Sequence, residues 1–347
     1  MPSISLIMPV FNCIKSIKKS VLSIEKQTFS DFELILVDDG STDGSGKLCD
    51  DFASHDLRVK VIHKDNGGAG SARNMGIMAS ASEFLMFPDS DDWFEPDMLE
   101  AMYNAANQYK CDIVISGFQN ESRNGRKKII YPETYLQSPQ EVRTFFAKIF
   151  PEGFMGYPWN KLYRASIIHN NQLKFPDMRR FQDGMFNLDF FSRAQTCFII
   201  EKALYHYCIN DLPQIFSKYP CNIFNLMEEL CQSYYKRLEQ WRLPAEKYEL
   251  NMVSFFLNGT VSCIESTYSS NWHYKYSDRI RYFNNILNSK IFQYAILKKS
   301  KLNSGYITDV IWQLVHKNFI GVILLVKIKF LLKKYFCGLF KIIKKRI

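Results

Sequence analysis

Between residues 4 and 117 the chain alternates short apolar runs with amphipathic stretches, and nothing else in it constrains the fold as strongly. Residues 4–10, 32–37, 58–63, 83–87 and 111–117 read as strands buried on both faces. Residues 14–27 carry Ile14, Ile17, Val21 and Ile24 at helical spacing. Residues 43–54, 71–80 and 96–109 also read as helices, the last with Pro96 in its first turn. Strict alternation implies a parallel sheet covered on both faces. Ligands bind such sheets at the carboxyl ends of the strands, so residues 9–12, 38–39 and 89–92 fall along one rim.

The rest of the chain is less regular. Residues 119–150 contain a polar loop, 197–207 read as a strand, and about 216–300 are mostly helical and aromatic. The expected organisation is a domain over 1–215, split into halves at 118, then a helical extension over 216–316 and a basic tail over 317–347. The nine cysteines form no C-x-x-C pair, which suits reduced, buried thiols. The start lacks the basic region of a signal peptide, and no run approaches the ~18 apolar residues of a spanning helix.

Three clusters along the rim carry the chemistry. In Asp89-Ser90-Asp91-Asp92, three carboxylates in four positions follow a hydrophobic strand. Their mutual repulsion is relieved by a hard divalent cation, Mg²⁺ or Mn²⁺, whose shell a nucleoside diphosphate completes. The competing reading is a solvated acidic turn. Asp38-Asp39-Gly40-Ser41-Thr42-Asp43 offers carboxylates to a base imide or a ribose hydroxyl, or else a capped turn. Asn66-Gly67-Gly68-Ala69-Gly70 opens backbone N–H groups to an anion at a helix start. It fits neither the Walker loop nor the dinucleotide fingerprint.

Taken together these segments resemble glycosyltransferase family 2: Met8-Pro9-Val10-Phe11-Asn12, Gln27-Thr28-Phe29, residues 37–43, Asn66-Gly67-Gly68, Ala72-Arg73-Asn74, Asp89-Ser90-Asp91-Asp92-Trp93 and Trp159-Asn160-Lys161-Leu162-Tyr163. The resemblance is specific over 3–118, fair over 155–207 and slight beyond 215. It implies an α/β GT-A fold, a doubly wound mixed sheet with a helical extension, and a UDP-sugar donor. By the same resemblance Asp39 would bond uracil beside Asp38, and Pro9, Val10 and Asn12 would line the nucleotide site. Asp89 and Ser90 would face ribose and donor sugar, Asp91 and Asp92 the metal, and Arg73 the carboxylates or the diphosphate. Asp183 occupies the position of the family's general base, with Gln182 in place of the usual Glu beside it. Gln182 and Trp159 would contact the acceptor, although Trp159 reads equally well as a core residue. Transfer would proceed with inversion, the acceptor hydroxyl giving up its proton to Asp183.

The net charge of +9 is uneven. No acidic residue follows Asp309, and the nine Lys and Arg beyond it equal the whole excess. That leaves a neutral body, against a nucleic-acid enzyme, and a tail suited to an anionic partner. On a helical wheel Ile328, Leu331, Leu332, Tyr335, Leu339, Ile342 and Ile343 share one side. Lys327, Lys333, Lys334, Lys341, Lys344 and Lys345 share the other. This predicts a helix lying on a membrane surface, with the alternative of a helix packed on the protein. The expected setting is peripheral, at the cytoplasmic face of the inner membrane, beside a polyprenyl-diphosphate-linked saccharide acceptor. Two alternatives stand beside it: a lipopolysaccharide-core or teichoic-type acceptor, or a weakly active nucleotide-sugar-binding scaffold suggested by Gln182.

Overall fold

The computed structural model describes residues 1–122, 125–152, 156–209, 220–268, 274–298 and 305–335. The chain divides into two compact units, residues 1–211 with 240–243, and residues 212–239 with 244–347.

The first unit runs β1 (Ile4–Val10), α1 (Ile17–Glu25), β2 (Phe32–Asp38), α2 (Ser45–His55), β3 (Val59–His63), α3 (Ala69–Ala79), β4 (Phe84–Met86), β5 (Trp93–Phe94), α4 (Met98–Gln108), β6 (Ile113–Ser122), β7 (Gly125–Ile129), β8 (Thr134–Leu136), α5 (Pro139–Ile149), β9 (Lys161–Arg164), α6 (Ala165–Asn170), α7 (Gln182–Phe191) and β10 (Cys197–Cys208). The strands join one sheet in the order β3-β2-β1-β4-β9-β6-β10-β5, with β7 on β6 and β8 on β10. The strand-end acids come level because β1 pairs in parallel both with β2, from Ile4↔Phe32 to Val10↔Asp38, and with β4, from Ile4↔Phe84 to Leu6↔Met86.

Alternation alone implies an all-parallel sheet, and here the structure differs. β1 to β4 are parallel, but β9 lies antiparallel between β4 and β6, pairing Leu85↔Tyr163 and Val114↔Leu162. Its four residues come from beyond the alternating region. An antiparallel insertion of this kind needs no crossover helix. The mixed sheet implied by the family resemblance is the one formed.

β1 and β2 are buried almost throughout, as helix-covered strands must be. Each fully buried aliphatic side chain here, such as Leu6 or Leu34, contributes roughly 1.5–3 kcal/mol. α1 turns Ile17, Val21 and Ile24 inward, the stripe its spacing predicts. α3 runs so close to β1 that a Cβ on Gly76 would lie 2.2 Å from Ile7 Cγ2. α4 begins at Met98, so Pro96 stands just before the cap residue Asp97 rather than inside the first turn. β10 shifts register between Ile200 and Ala203 and again before Tyr205, a bulge of the kind that re-aims side chains near sites.

The described part of the second unit is helical: α8 (Ile223–Gln240), α9 (Ala245–Ser266), α10 (Tyr276–Asn288), α11 (Lys290–Leu297), α12 (Tyr306–Val315) and α13 (Phe319–Tyr335). Phe224, Met227, Leu257, Ile264, Phe283, Ile311 and Leu314 form part of its core. Among the described residues no helix is long and apolar enough to cross a membrane. Residues 336–347, which hold Leu339, Lys341, Ile342, Ile343, Lys344 and Lys345, lie outside the described residues.

Candidate functional site

The site is assembled on the carboxyl ends of β1, β2 and β4 and on the start of α7. Its centre is Arg73, on α3 and only 3% exposed. One guanidinium nitrogen donates to Asp89 Oδ1 at 2.6 Å and the other to Asp183 Oδ1 at 2.7 Å. The cation thus ties the acidic turn after β4 to α7, and its own bond to Asp183 spans 110 residues of sequence. Its face lies over Phe175, 5.2 Å from the ring centroid. Of the two roles implied for Arg73, this geometry is that of a buttress.

Asp89, Asp91 and Asp92 come together, each offering a carboxylate oxygen within 4.8 Å of the others. An all-oxygen donor set of this size fits a hard divalent cation. The three are not equivalent. Asp92 is buried and accepts from Tyr205 Oη at 2.8 Å and from the Cys208 amide at 2.7 Å, so it anchors the turn to β10. Burial, with Asp89 and Asp91 nearby, lifts its carboxyl well above the usual range. Asp91 is exposed and Asp89 partly so, which makes them the outward-facing oxygens. The Asp89 amide donates to Tyr205 Oη at 3.2 Å, and the Ser90 carbonyl accepts from Ser20 at 2.9 Å.

Asp183 is the second residue of α7, and Phe181 before it adopts a left-handed conformation at φ 65°. A bulky residue in that region is strained and persists only where its surroundings enforce it. Phe175 and Phe186 stack at 4.1 Å, with Phe87 edge-on to both, and so seat α7 against the end of β4. Burial raises the Asp183 carboxyl, while Arg73 pulls it back toward the ionised form. Gln182 turns its side chain toward α3: its Oε1 would lie 2.5 Å from a Cβ on Gly70.

At the end of β2, Asp39 is buried. It accepts from Lys64 Nζ at 2.6 Å, the Gly67 amide at 2.9 Å and the Gly68 amide at 2.7 Å. It therefore shapes the glycine loop. Asn12, at φ 47°, accepts from the Thr42 amide at 2.8 Å and fixes the neighbouring turn.

Three assignments are corrected by burial. Val10 is fully buried in the sheet core, so only Pro9 and Asn12 of that trio reach the surface. Asp38 points under α2 instead, bonding the Ser41 amide at 3.0 Å and His63 Nδ1 at 2.9 Å. Trp159 is 1% exposed and stacks on Tyr157 at 5.0 Å and on Tyr205 at 4.4 Å, so no ring face is left for a sugar.

Several participants were missed. Lys64 and Tyr205 are partners that only the tertiary fold supplies. Phe11, in the motif of residues 8–12, stands half-exposed beside Asn12. Lys161 is 0% exposed, its ammonium bonded to the Tyr157 carbonyl and to Asn160 Oδ1. Burial pulls it down to about 7. Asn187, one turn after Asp183, joins the Gly156 carbonyl, the Asp183 carbonyl and Tyr163 Oη, so the Trp159 segment and α7 are held as one piece.

Comparison with known proteins agrees with this geometry. Residues 5–171 match the family described as Glycosyl transferase family 2. The chain is 30% identical over 302 residues to EpsH of Bacillus subtilis (strain 168), described as a glycosyltransferase, covering 86% of each chain. It is 25% identical to the poly(ribitol-phosphate) beta-N-acetylglucosaminyltransferase TarP of Staphylococcus aureus (strain N315), over 89% of this chain and 93% of that one. Its fold matches S. aureus TarS 1-349 in complex with UDP-GlcNAc, with a TM-score of 0.66 at 20% identity, over 94% of this chain and 90% of that one. The chain has the GT-A fold and belongs to glycosyltransferase family 2.

Proposed function

We propose that the protein moves a sugar from a UDP-sugar to a saccharide acceptor with inversion, giving a β linkage, during assembly of a surface polysaccharide. The observation that carries this reading is Arg73 clamping Asp89 and Asp183 from opposite sides. One buried cation thereby joins the acidic turn, to which this reading gives the donor, and the carboxylate to which it gives the acceptor. An acceptor hydroxyl ionises far above neutrality, so its proton must leave as the new bond forms. Asp183 takes that proton; burial raises its carboxyl and makes it a stronger base, while Arg73 favours the ionised form. The loop held by Asp39, Lys64, Gly67 and Gly68 receives the uridine end, with Phe11 offering an apolar face. Mg²⁺ or Mn²⁺ held by Asp91 and Asp89 would neutralise charge on the departing diphosphate.

A lipid-linked acceptor fits the basic tail, which would hold the site near the inner face of the membrane and raise the acceptor's local concentration. A second acceptor, a polyol-phosphate polymer receiving GlcNAc, is supported by the names of TarP and of TarS from S. aureus (strain Mu50 / ATCC 700699), both described as acting on poly(ribitol-phosphate). The test is a panel of UDP-sugars with Mn²⁺ or Mg²⁺, scored for UDP release alone, with polyprenyl-diphosphate-linked GlcNAc or GalNAc, and with poly(ribitol-phosphate). Metal-dependent release from one donor, accelerated by one acceptor, is expected. Folded protein that releases UDP from no donor would overturn the reading in favour of a binding scaffold.

A further inference from the structure

The fold treats the two faces of α13 in opposite ways. Val322 and Val326 are fully buried, and Phe330 packs on Tyr268 with ring centroids 6.4 Å apart. On the same side Lys329 reaches Glu265 of α9 at 2.5 Å and lies 4.3 Å from the Tyr306 ring centroid. This ion pair fixes the roll of the helix. On the other side Ile320, Leu324, Ile328 and Leu331 are each 50–62% exposed. Their spacing of four, four and three residues makes a single row, about 16 Å long at the helical rise. Lone exposed aliphatic residues need no explanation, but a continuous row of four does. A helix apolar on both faces is a helix with something on both faces.

Charge decides what covers the second face. Of the nine Lys and Arg after Asp309, Lys329 is used inside the protein, and no acidic residue follows Asp309 in the sequence. Lys317 and Lys327 are exposed; Lys327 flanks the row on the wheel and Lys317 precedes it by one turn. A second copy on this row would bring two such sets of cations together. An anionic polymer would answer the cations and leave the row in water. A lipid surface with anionic headgroups answers both, because lysine stems run along apolar surface while their ammonium groups stay at headgroup level. We propose that Ile320, Leu324, Ile328 and Leu331 form a docking face that enters an anionic lipid surface, with Lys317 and Lys327 at its rim. This rests on the membrane reading above and moves its apolar contact from the terminal residues to a ridge of the folded protein.

The test is flotation of the full chain with vesicles of phosphatidylcholine, with and without phosphatidylglycerol, and no sugar acceptor. Wild type binds only the anionic vesicles, and part of that binding survives high salt. Leu324→Glu with Ile328→Glu lowers it about tenfold or more, since two aliphatic side chains no longer leave water. UDP release from soluble donor stays unchanged. Lys317→Gln with Lys327→Gln lowers it about threefold at low salt only, because headgroup attraction is screened. Undiminished binding by the double glutamate variant overturns the proposal. If Lys341→Gln, Lys344→Gln and Lys345→Gln then abolish binding, the membrane reading survives without it. Wild type that binds neither vesicle overturns both. A dimer of the wild type that Leu324→Glu dissociates assigns the row to a second copy instead.

Discussion

The turns that end β2 and β4 look alike in sequence, each a run of acids after a buried strand, yet the structure uses them in opposite ways. At the end of β2 every described charge is answered. Burial alone would raise Asp38, but Ser41 and His63 outweigh it and hold its carboxyl below the usual range. His63 in turn is raised by its bonds to Asp38 and Asp50, and Asp39 is matched by Lys64 and two amides. Around the end of β4, charges are held against their preference. Asp92 and Asp183 are raised, Lys161 is lowered, and Phe181 keeps a left-handed backbone. The first turn is relaxed structure, and the second stores the cost of a site. Natural proteins keep such costs where activity needs them.

Neutral substitutions should therefore act in opposite senses at the two places. The largest effect is expected for Asp183→Asn. Transfer falls about 10²- to 10⁴-fold with donor affinity retained, because a general base is lost, and the melting temperature holds or rises. Full transfer by this variant would remove Asp183 from the mechanism.

Lys161→Met comes next. Replacing a desolvated buried amine by an apolar side chain of similar length should stabilise, by less than the burial cost alone because the Tyr157 carbonyl and Asn160 Oδ1 lose their donor. The sign with pH is fixed by the lowered value. Between about 7 and the ordinary lysine range, the unfolded chain holds a proton that the folded one does not. Wild-type stability therefore rises with pH across that window. The variant should lose this slope in denaturant titrations, and a destabilised Lys161→Met would break the comparison.

The smallest effect belongs to His63→Gln, at the relaxed turn. A raised imidazole adds stability that is full below the ordinary histidine value and fades as pH rises through the raised one. His63 is half-exposed, so the loss is about a few tenths of a kcal/mol, visible at pH 5.5 and absent at pH 8.5. A gain in stability at pH 5.5 would place this turn in the same class as the other.

Much of this was legible in the chain, for identifiable reasons. Buried strands and amphipathic helices announce themselves by period, and acids at strand ends in one alternating series must share a rim. The motif acids Asp89, Asp91 and Asp92 lie together, and Arg73 links Asp89 to Asp183. What stayed hidden depends on side-chain direction and on distant partners. Val10 and Asp38 alternate inward by the pleat, and a one-residue difference in facing cannot be read from a short apolar run. Trp159 is committed to the core by Tyr157, two residues before it, and by Tyr205, whose nearness only the bulged β10 creates. Four residues from β9 carry too little pattern to announce a strand, still less its direction.

That strand has a consequence for how the molecule comes into being. β4 and β6 are neighbours only through residues 161–164, so a chain ending at 118 would carry open edges where β9 belongs. Cut out at 118, the first half would offer those two edges to pairing with another chain. During synthesis it waits for a clasp made some forty residues later, and the strand that closes the gap begins at Lys161.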